Sequence, residues 1–155
     1  MDGGVFVGAG PIRLESFRPE TMDGIVLRWP NMMGDMSILR DGVAANHAHN
    51  ARVAFCGSEP IGAGGVIELW HGVGLAWVAV AKLPPRLAVA AVRACGLGLD
   101  QIQAIGGFHR LQADIKREFV AARKLAILLG FSYEGPMDGY GADKSDFDRY
   151  ARVRK

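Results

Sequence analysis

Hydrophobic positions along the chain recur with two periods, two and about 3.6, and their order sets out a sheet interrupted by helices. In residues 12–17, IRLESF, Ile12, Leu14 and Ser16 alternate with Arg13, Glu15 and Phe17, the pattern of a strand with one buried face. Residues 1–10, ahead of it, are expected to be a flexible lead. Pro19 and Glu20 suit the first turn of a helix and Pro30 its end, with Gly24 weakening the middle. Asp35 can cap a second helix that carries Met36, Leu39, Val43 and His47 on one side and ends near Asn50.

Two runs of β-branched and aromatic residues, ARVAFCG and IGAGGVIEL, flank a turn at residues 57–60 and predict a hairpin. HGVG marks a further turn. Residues 75–83, LAWVAVAKL, are almost all apolar, as expected of a central strand covered on both faces. Pro84 and Pro85 cannot extend a ladder, so an Ala-rich helix takes over until about Ile105. FHRLQADI, residues 108–115, reads as another buried strand. Phe119, Val120, Ala122, Leu125, Leu128 and Leu129 then mark a helix that Gly130 ends. Two last strands around a polar loop complete the chain. The helix between the strands at 75–83 and 108–115 makes those two a parallel pair.

Composition narrows the function classes. A length of 155 residues fits one domain, and 50% hydrophobic against 22% charged residues excludes a disordered chain. Eighteen Lys and Arg against 16 Asp and Glu leave a net charge of +2, which gives no general attraction for nucleic acid or membrane surfaces. An anionic ligand must therefore be held locally. Cys56 and Cys95 lack CxxC spacing, and His47 and His49 face different ways on a helix, so no metal site is expected. No positive leader and no apolar run of membrane-spanning length are seen, which sets the expectation of a cytoplasmic protein.

HRLQADI, then AARKLAILLGFSYEG and GYGADKSDFDRYARV, resemble the strand, helix and LGFxxEG ending of the GNAT-type N-acetyltransferases, the ribosomal-protein and small-molecule enzymes among them. With VAFCGSEPIGAGGVIELWHGVGLAWV included, the chain also resembles GNAT-like proteins of bacteriophages and prophages. The resemblance runs from about Ile12 to the end. It implies an α/β fold: a single GNAT-like domain with a mixed sheet, splayed central strands and about four helices. It implies acyl transfer from acetyl-CoA to an amine, without a metal, and domains that often pair as homodimers. The thioester would lie where the strand at 75–83 splays from that at 108–115, polarised by backbone groups of Val80, Ala81 and Lys82. The pyrophosphate would lie on the helix start at Arg86, Leu87, Ala88 and Val89, with Arg123 in reach of the phosphates.

The chain also departs from the family pattern of Arg or Gln, two residues, Gly, one residue, then Gly or Ala. Val89 stands at the glycine position, and Pro84 and Pro85 remove two N–H donors beside it. The positions where the family often carries Asn and a general-acid Tyr hold Phe119 and Ala126. Glu68 is a candidate base, or an exposed hairpin residue. Tyr133 and Tyr140 are candidate proton donors, or rim aromatics. His71 reads as a solvated turn residue, Arg123 and Lys124 otherwise as a wet helix face, and Trp29, Trp70 and Trp77 as core or rim. Two functions stay open: an N-acetyltransferase with an unspecified amine acceptor, or a catalytically degenerate GNAT-fold protein of phage or prophage assembly.

Overall fold

The structure, a computed structural model, describes residues 4–25 and 40–155. Among these residues eight strands form one sheet: β1 (Val5–Ala9), β2 (Ile12–Ser16), β3 (Ala51–Cys56), β4 (Glu59–Trp70), β5 (Val73–Val80), β6 (Arg110–Lys116), β7 (Ser132–Met137) and β8 (Phe147–Val153). Their order is β1-β2-β3-β4-β5-β6-β8-β7. Among the described strands only β5 and β6 are parallel, and the other neighbours run antiparallel. The helices include α1 (Pro19–Asp23), α2 (Ala88–Gly106), which follows a 3-10 turn at Pro85–Leu87, and α3 (Val120–Leu128). This is the expected α/β fold with a mixed sheet. Among the described residues no helix is long and apolar enough to cross a membrane.

The expectation of a flexible lead at residues 1–10 is corrected, because Val5–Ala9 is an edge strand paired to β2. Its hairpin turns so sharply that a Cβ on Gly8 would lie 1.8 Å from the carbonyl oxygen of Ile12. Phe6 and Ala9 join a core with Ile12, Leu14, Ile61 and Ala94, and the Phe6 ring covers the guanidinium of Arg52, 3.9 Å from the ring centroid. Arg52 is buried and donates through Nη1 to the carbonyls of His49 and Ala51; burial pushes its pKa below the ordinary guanidinium value. The first helix ends at Asp23, before Gly24, rather than running to Pro30. Asp35 and Trp29 lie outside the described residues. The expected end of the second helix at Asn50 is found, reached through a π turn at Val43–His47 and a 3-10 turn at Ala48–Asn50.

Alternation along the strands sends side chains to two faces. On one face, α2 and α3 cover Val66, Leu111, Ile115 and Tyr150 with Leu99, Ile102 and Ala126. On the other, Phe17, Met22, Val43, Val53 and Ala79 form a separate core, with Trp77 packed edge-on against Phe17. Each fully buried large aliphatic side chain contributes about 1.5–3 kcal/mol. β3 and β4 approach so closely that a Cβ on Gly65 would meet the Asn50 carbonyl oxygen at 2.4 Å and the Ala51 Cα at 2.8 Å. Both are backbone atoms that cannot swing aside. Gly65→Ala should therefore lower unfolding free energy by about 1–3 kcal/mol in urea denaturation, and an unchanged midpoint would contradict this register.

Candidate active site

The parallel pair at the centre of the sheet is short. β5 and β6 register only over Val73↔Arg110, Gly74↔Leu111 and Leu75↔Gln112, after which each strand continues without the other. β5 runs five residues further, to Val80, so the fork is about 16 Å long at roughly 3.3 Å per residue. The hydrogen-bond phase shows which groups face it. Ala81 donates to the Ile61 carbonyl at 3.0 Å, so odd residues of β5 point their backbone toward β4 and Ala76, Val78 and Val80 point theirs into the fork. Arg110 donates to the Gly72 carbonyl at 3.1 Å and Arg154 to the His109 carbonyl at 2.8 Å, so on the opposite rim Asp114 and Lys116 face inward.

Beyond β5 the chain passes Pro84 and enters α2. Leu87 donates to the Pro84 carbonyl at 2.9 Å, and Ala88 donates to the Pro85 carbonyl, so two amides of the expected phosphate site are already used. Leu87 is buried, whereas Lys82, Arg86, Ala88 and Val89 are exposed. Arg123, near the start of α3, is half-buried and its Nε is enclosed without a hydrogen-bond partner.

The face away from α2 and α3 carries a polar cluster beside the fork. Gln112, at the vertex, is buried, and Asp114, two residues on, lies across β6 and β8 from Arg149. Arg149 Nε and Nη2 donate to the two Asp114 oxygens at 2.8 and 3.0 Å, a bidentate pair. The Tyr140 hydroxyl donates to Asp114 Oδ2 at 3.2 Å. Burial, and then the negative charge of Asp114, push the Tyr140 phenol above its ordinary value, so it keeps its proton at neutral pH. Alongside, Arg110 pairs with Glu134 through both of its terminal nitrogens, and hydrogen bonds from Arg110 hold the Glu134 carboxyl below the usual range. The loop that presents Tyr140 is fixed at its base by Arg117, which reaches Asp138 at 3.1 Å, Asp146 at 3.3 Å and Asp148 at 3.2 Å.

The structure does not gather the three sequence-derived catalytic candidates in one place. Tyr140 touches a residue of the fork rim. Glu68 is exposed on β4 opposite Gly74, level with the paired part of β5 and β6 rather than the open part. Tyr133 stacks edge-on against Tyr150, which belongs to the core under α3, on β7 at the far edge of the sheet. Of the cofactor candidates, Val80 faces the fork with its backbone, while the Ala81 amide is committed to β4. Sequence reading missed Gln112, Asp114 and Arg149. The signal was present, since Arg110, Gln112 and Asp114 alternate with Leu111, Ala113 and Ile115 in a strand read as buried throughout.

A mixed sheet whose one parallel pair opens into a fork, with a long helix after the first forked strand and a short one after the second, is the fold of the GNAT acetyltransferases. The chain is similar to the GNAT-family acetyltransferase of Bacillus anthracis, at 14% identity over 96% of this chain and 98% of that one, with a TM-score of 0.70. It is also similar to Mycobacterium smegmatis RimJ in complex with CoA-disulfide, at 21% identity over 97% and 86% of the two chains, with a TM-score of 0.68. A third likeness is to the ribosomal-protein-S5-alanine acetyltransferase of Vibrio fischeri, at 14% identity over 97% and 96%, with a TM-score of 0.69. At these identities the likeness is one of fold. No family model and no curated protein matches the sequence.

The Tyr140 environment gives a titration with a defined sign. The ultraviolet difference between wild type and Tyr140→Phe should report ionisation above the ordinary phenol value, and Asp114→Asn, by removing the adjacent charge, should lower it. A Tyr140 transition that Asp114→Asn leaves in place would contradict the contact.

Proposed function

We propose that the chain is an N-acetyltransferase that takes acetyl-CoA in the fork between β5 and β6 and transfers the acetyl group to an amine presented on the face of Asp114, Tyr140 and Arg149. The observation that carries this reading is the fork. Its rims offer the backbone groups of Ala76, Val78, Val80, Asp114 and Lys116 at strand spacing, a setting for an extended chain that bears amides of its own. The pantetheine arm is such a chain. Lys82 and Arg86 are exposed where the phosphates would emerge. The likeness to RimJ in complex with CoA-disulfide supports the same donor. Acetyl-CoA, when bound, supplies an acetyl group activated as a thioester.

This chain's residues then divide the work. The Val78 and Val80 backbones align the arm, Arg149 fixes Asp114, and Asp114 orients the Tyr140 hydroxyl, which holds a proton at Oη for the leaving thiolate and is reprotonated by the proton the nitrogen sheds on acylation. Glu68 and Tyr133, away from the fork, have no part in this reading. The open face accommodates an amine of a protein or of a small molecule, and the likeness to the alanine acetyltransferase of Vibrio fischeri favours a protein amine.

The rival reading, a phage or prophage assembly protein that keeps the fold without turnover, draws on Val89 at the glycine position and on the two amides bonded to proline carbonyls. Ligand binding separates the two. At a hundred times its dissociation constant, acetyl-CoA should stabilise the folded protein by about 2.7 kcal/mol, seen as a rise in melting temperature. No rise at millimolar acetyl-CoA favours the assembly protein. Val89→Gly, which strips a β-branched side chain from the start of α2, should tighten acetyl-CoA binding in calorimetry, and unchanged or weaker binding would remove the alignment of Val89 with the family's glycine.

A further inference from the structure

At the vertex of the fork one buried polar side chain is only half satisfied. Gln112 is the last residue of β6 in register with β5, where it stands opposite Leu75, and on its other side it stands opposite Ala151 of β8. It is 6% exposed. Arg110, two residues back on the same face, donates through Nη2 to Gln112 Oε1 at 3.5 Å. A guanidinium carries donors alone, so the amide oxygen is the end that turns to it, and a flipped amide would set donor against donor. Nε2 is thereby directed away from Arg110, and it has no hydrogen-bond partner among the described residues. The apolar side chains of Leu75 and Ala151 offer it none. Buried amide N–H groups in folded proteins are nearly always paired, so an unpaired one at a cleft marks the place of a ligand's acceptor atom.

The orientation of this donor is held from behind. Glu134 takes both terminal nitrogens of Arg110 and so fixes the guanidinium. The cation in turn polarises the amide it touches, which makes Nε2 a stronger donor than a free glutamine would offer. What acceptor atom arrives there follows from the length of the fork. Acetyl-CoA in the fork has its phosphates at the open end, beside Lys82 and Arg86, so its arm runs inward along β5. Between phosphate and sulfur that arm is as long as about four extended residues, ~14 Å, against a fork of about 16 Å. Its thioester end therefore comes to the vertex, on whose polar side Gln112 lies.

We infer that Gln112 is a catalytic residue whose Nε2 donates to the thioester carbonyl oxygen of bound acetyl-CoA, an inference that rests on the reading of the fork as the acetyl-CoA site. Gln112 takes the part expected of the Ala81 amide, which is spent on the Ile61 carbonyl. As an amine adds from the polar face, negative charge grows on the carbonyl oxygen, and Gln112 holds it there until the carbon–sulfur bond breaks and the carbonyl re-forms. A neutral amide does this without giving up a proton and leaves the Asp114–Arg149 pair undisturbed.

Calorimetry on the full chain with acetyl-CoA and with CoA, which lacks the carbonyl, tests it. Gln112→Met keeps the length of the side chain and removes the donor. Gln112→Glu keeps the shape and the contact with Arg110 but turns an acceptor to the carbonyl oxygen, and it carries the test if Gln112→Met fails to fold by circular dichroism. In either variant the ratio of acetyl-CoA affinity to CoA affinity should fall roughly three- to tenfold. The infrared carbonyl stretch of isotope-labelled acetyl-CoA should lie lower on wild type than on either variant, because a hydrogen bond weakens the carbon–oxygen bond. Folded variants that keep both the wild-type affinity ratio and the wild-type stretch overturn the inference. A wild type that binds neither acetyl-CoA nor CoA overturns the reading of the fork itself, and the role of Gln112 falls with it.

Discussion

The structure depends on the pulling apart of two parallel strands that begin as neighbours. β5 and β6 share three residue pairs, ending at Leu75 and Gln112, and then each is claimed by a different half of the molecule. The far end of β5 is bound to β4 through the Ala81 amide and leads into Leu83, which packs with Ile12, Leu14 and Ile61 beneath α2. The far end of β6 is paired to β8 as far as Lys116↔Phe147, and the next residue, Arg117, is tied to three aspartates of the β7–β8 hairpin. Closing the fork would require one half to give up its own core or its ion pairs. The opening is imposed by the anchorage of both strands beyond it, and it needs no repulsion at the fork itself.

The fork sorts the surfaces around it. One face is apolar and helix-covered, and the other, over β6 and β8, is left to charged and hydroxylic side chains: Asp114 with Arg149 and Tyr140, and Arg110 with Glu134. The hairpin loop that delivers Tyr140 is long and polar, yet Arg117 and the Lys116–Asp143 pair at 3.0 Å hold it to the sheet. A donor in the fork and an acceptor on the polar face would approach from different directions, so neither would obstruct the other.

Much of the fold was legible because its signals are local. Alternation in IRLESF, the glycine turn after ARVAFC, and the two prolines after AVAKL mark ends that the chain cannot move. The parallel pair followed from the helical crossover alone. What was not legible depends on distance in the sequence. Residues 1–10 look like a glycine-rich lead, and the cover that Phe6 gives Arg52, far along the chain, is not visible in their local pattern. Tyr133 and Tyr140, seven residues apart, reach opposite faces because a strand and a loop separate them. The partnership of Asp114 with Arg149 spans 35 positions and emerges only when β6 and β8 pair. Glu68 had the right chemistry, but register sets it level with the zipped end of the fork.

The ring of Phe6 over Arg52 bears on how the protein can be shortened. The first ten residues look dispensable by composition, and trimming at Pro11 is a natural choice for anyone seeking a minimal domain. Such a cut would uncover a guanidinium that has no carboxylate beside it and would lay bare the edge of β2 to pairing by other chains. The shortened protein would expose both a naked cation and a sticky border, and its defect would look like poor solubility while arising from the loss of one strand and the ring it carries.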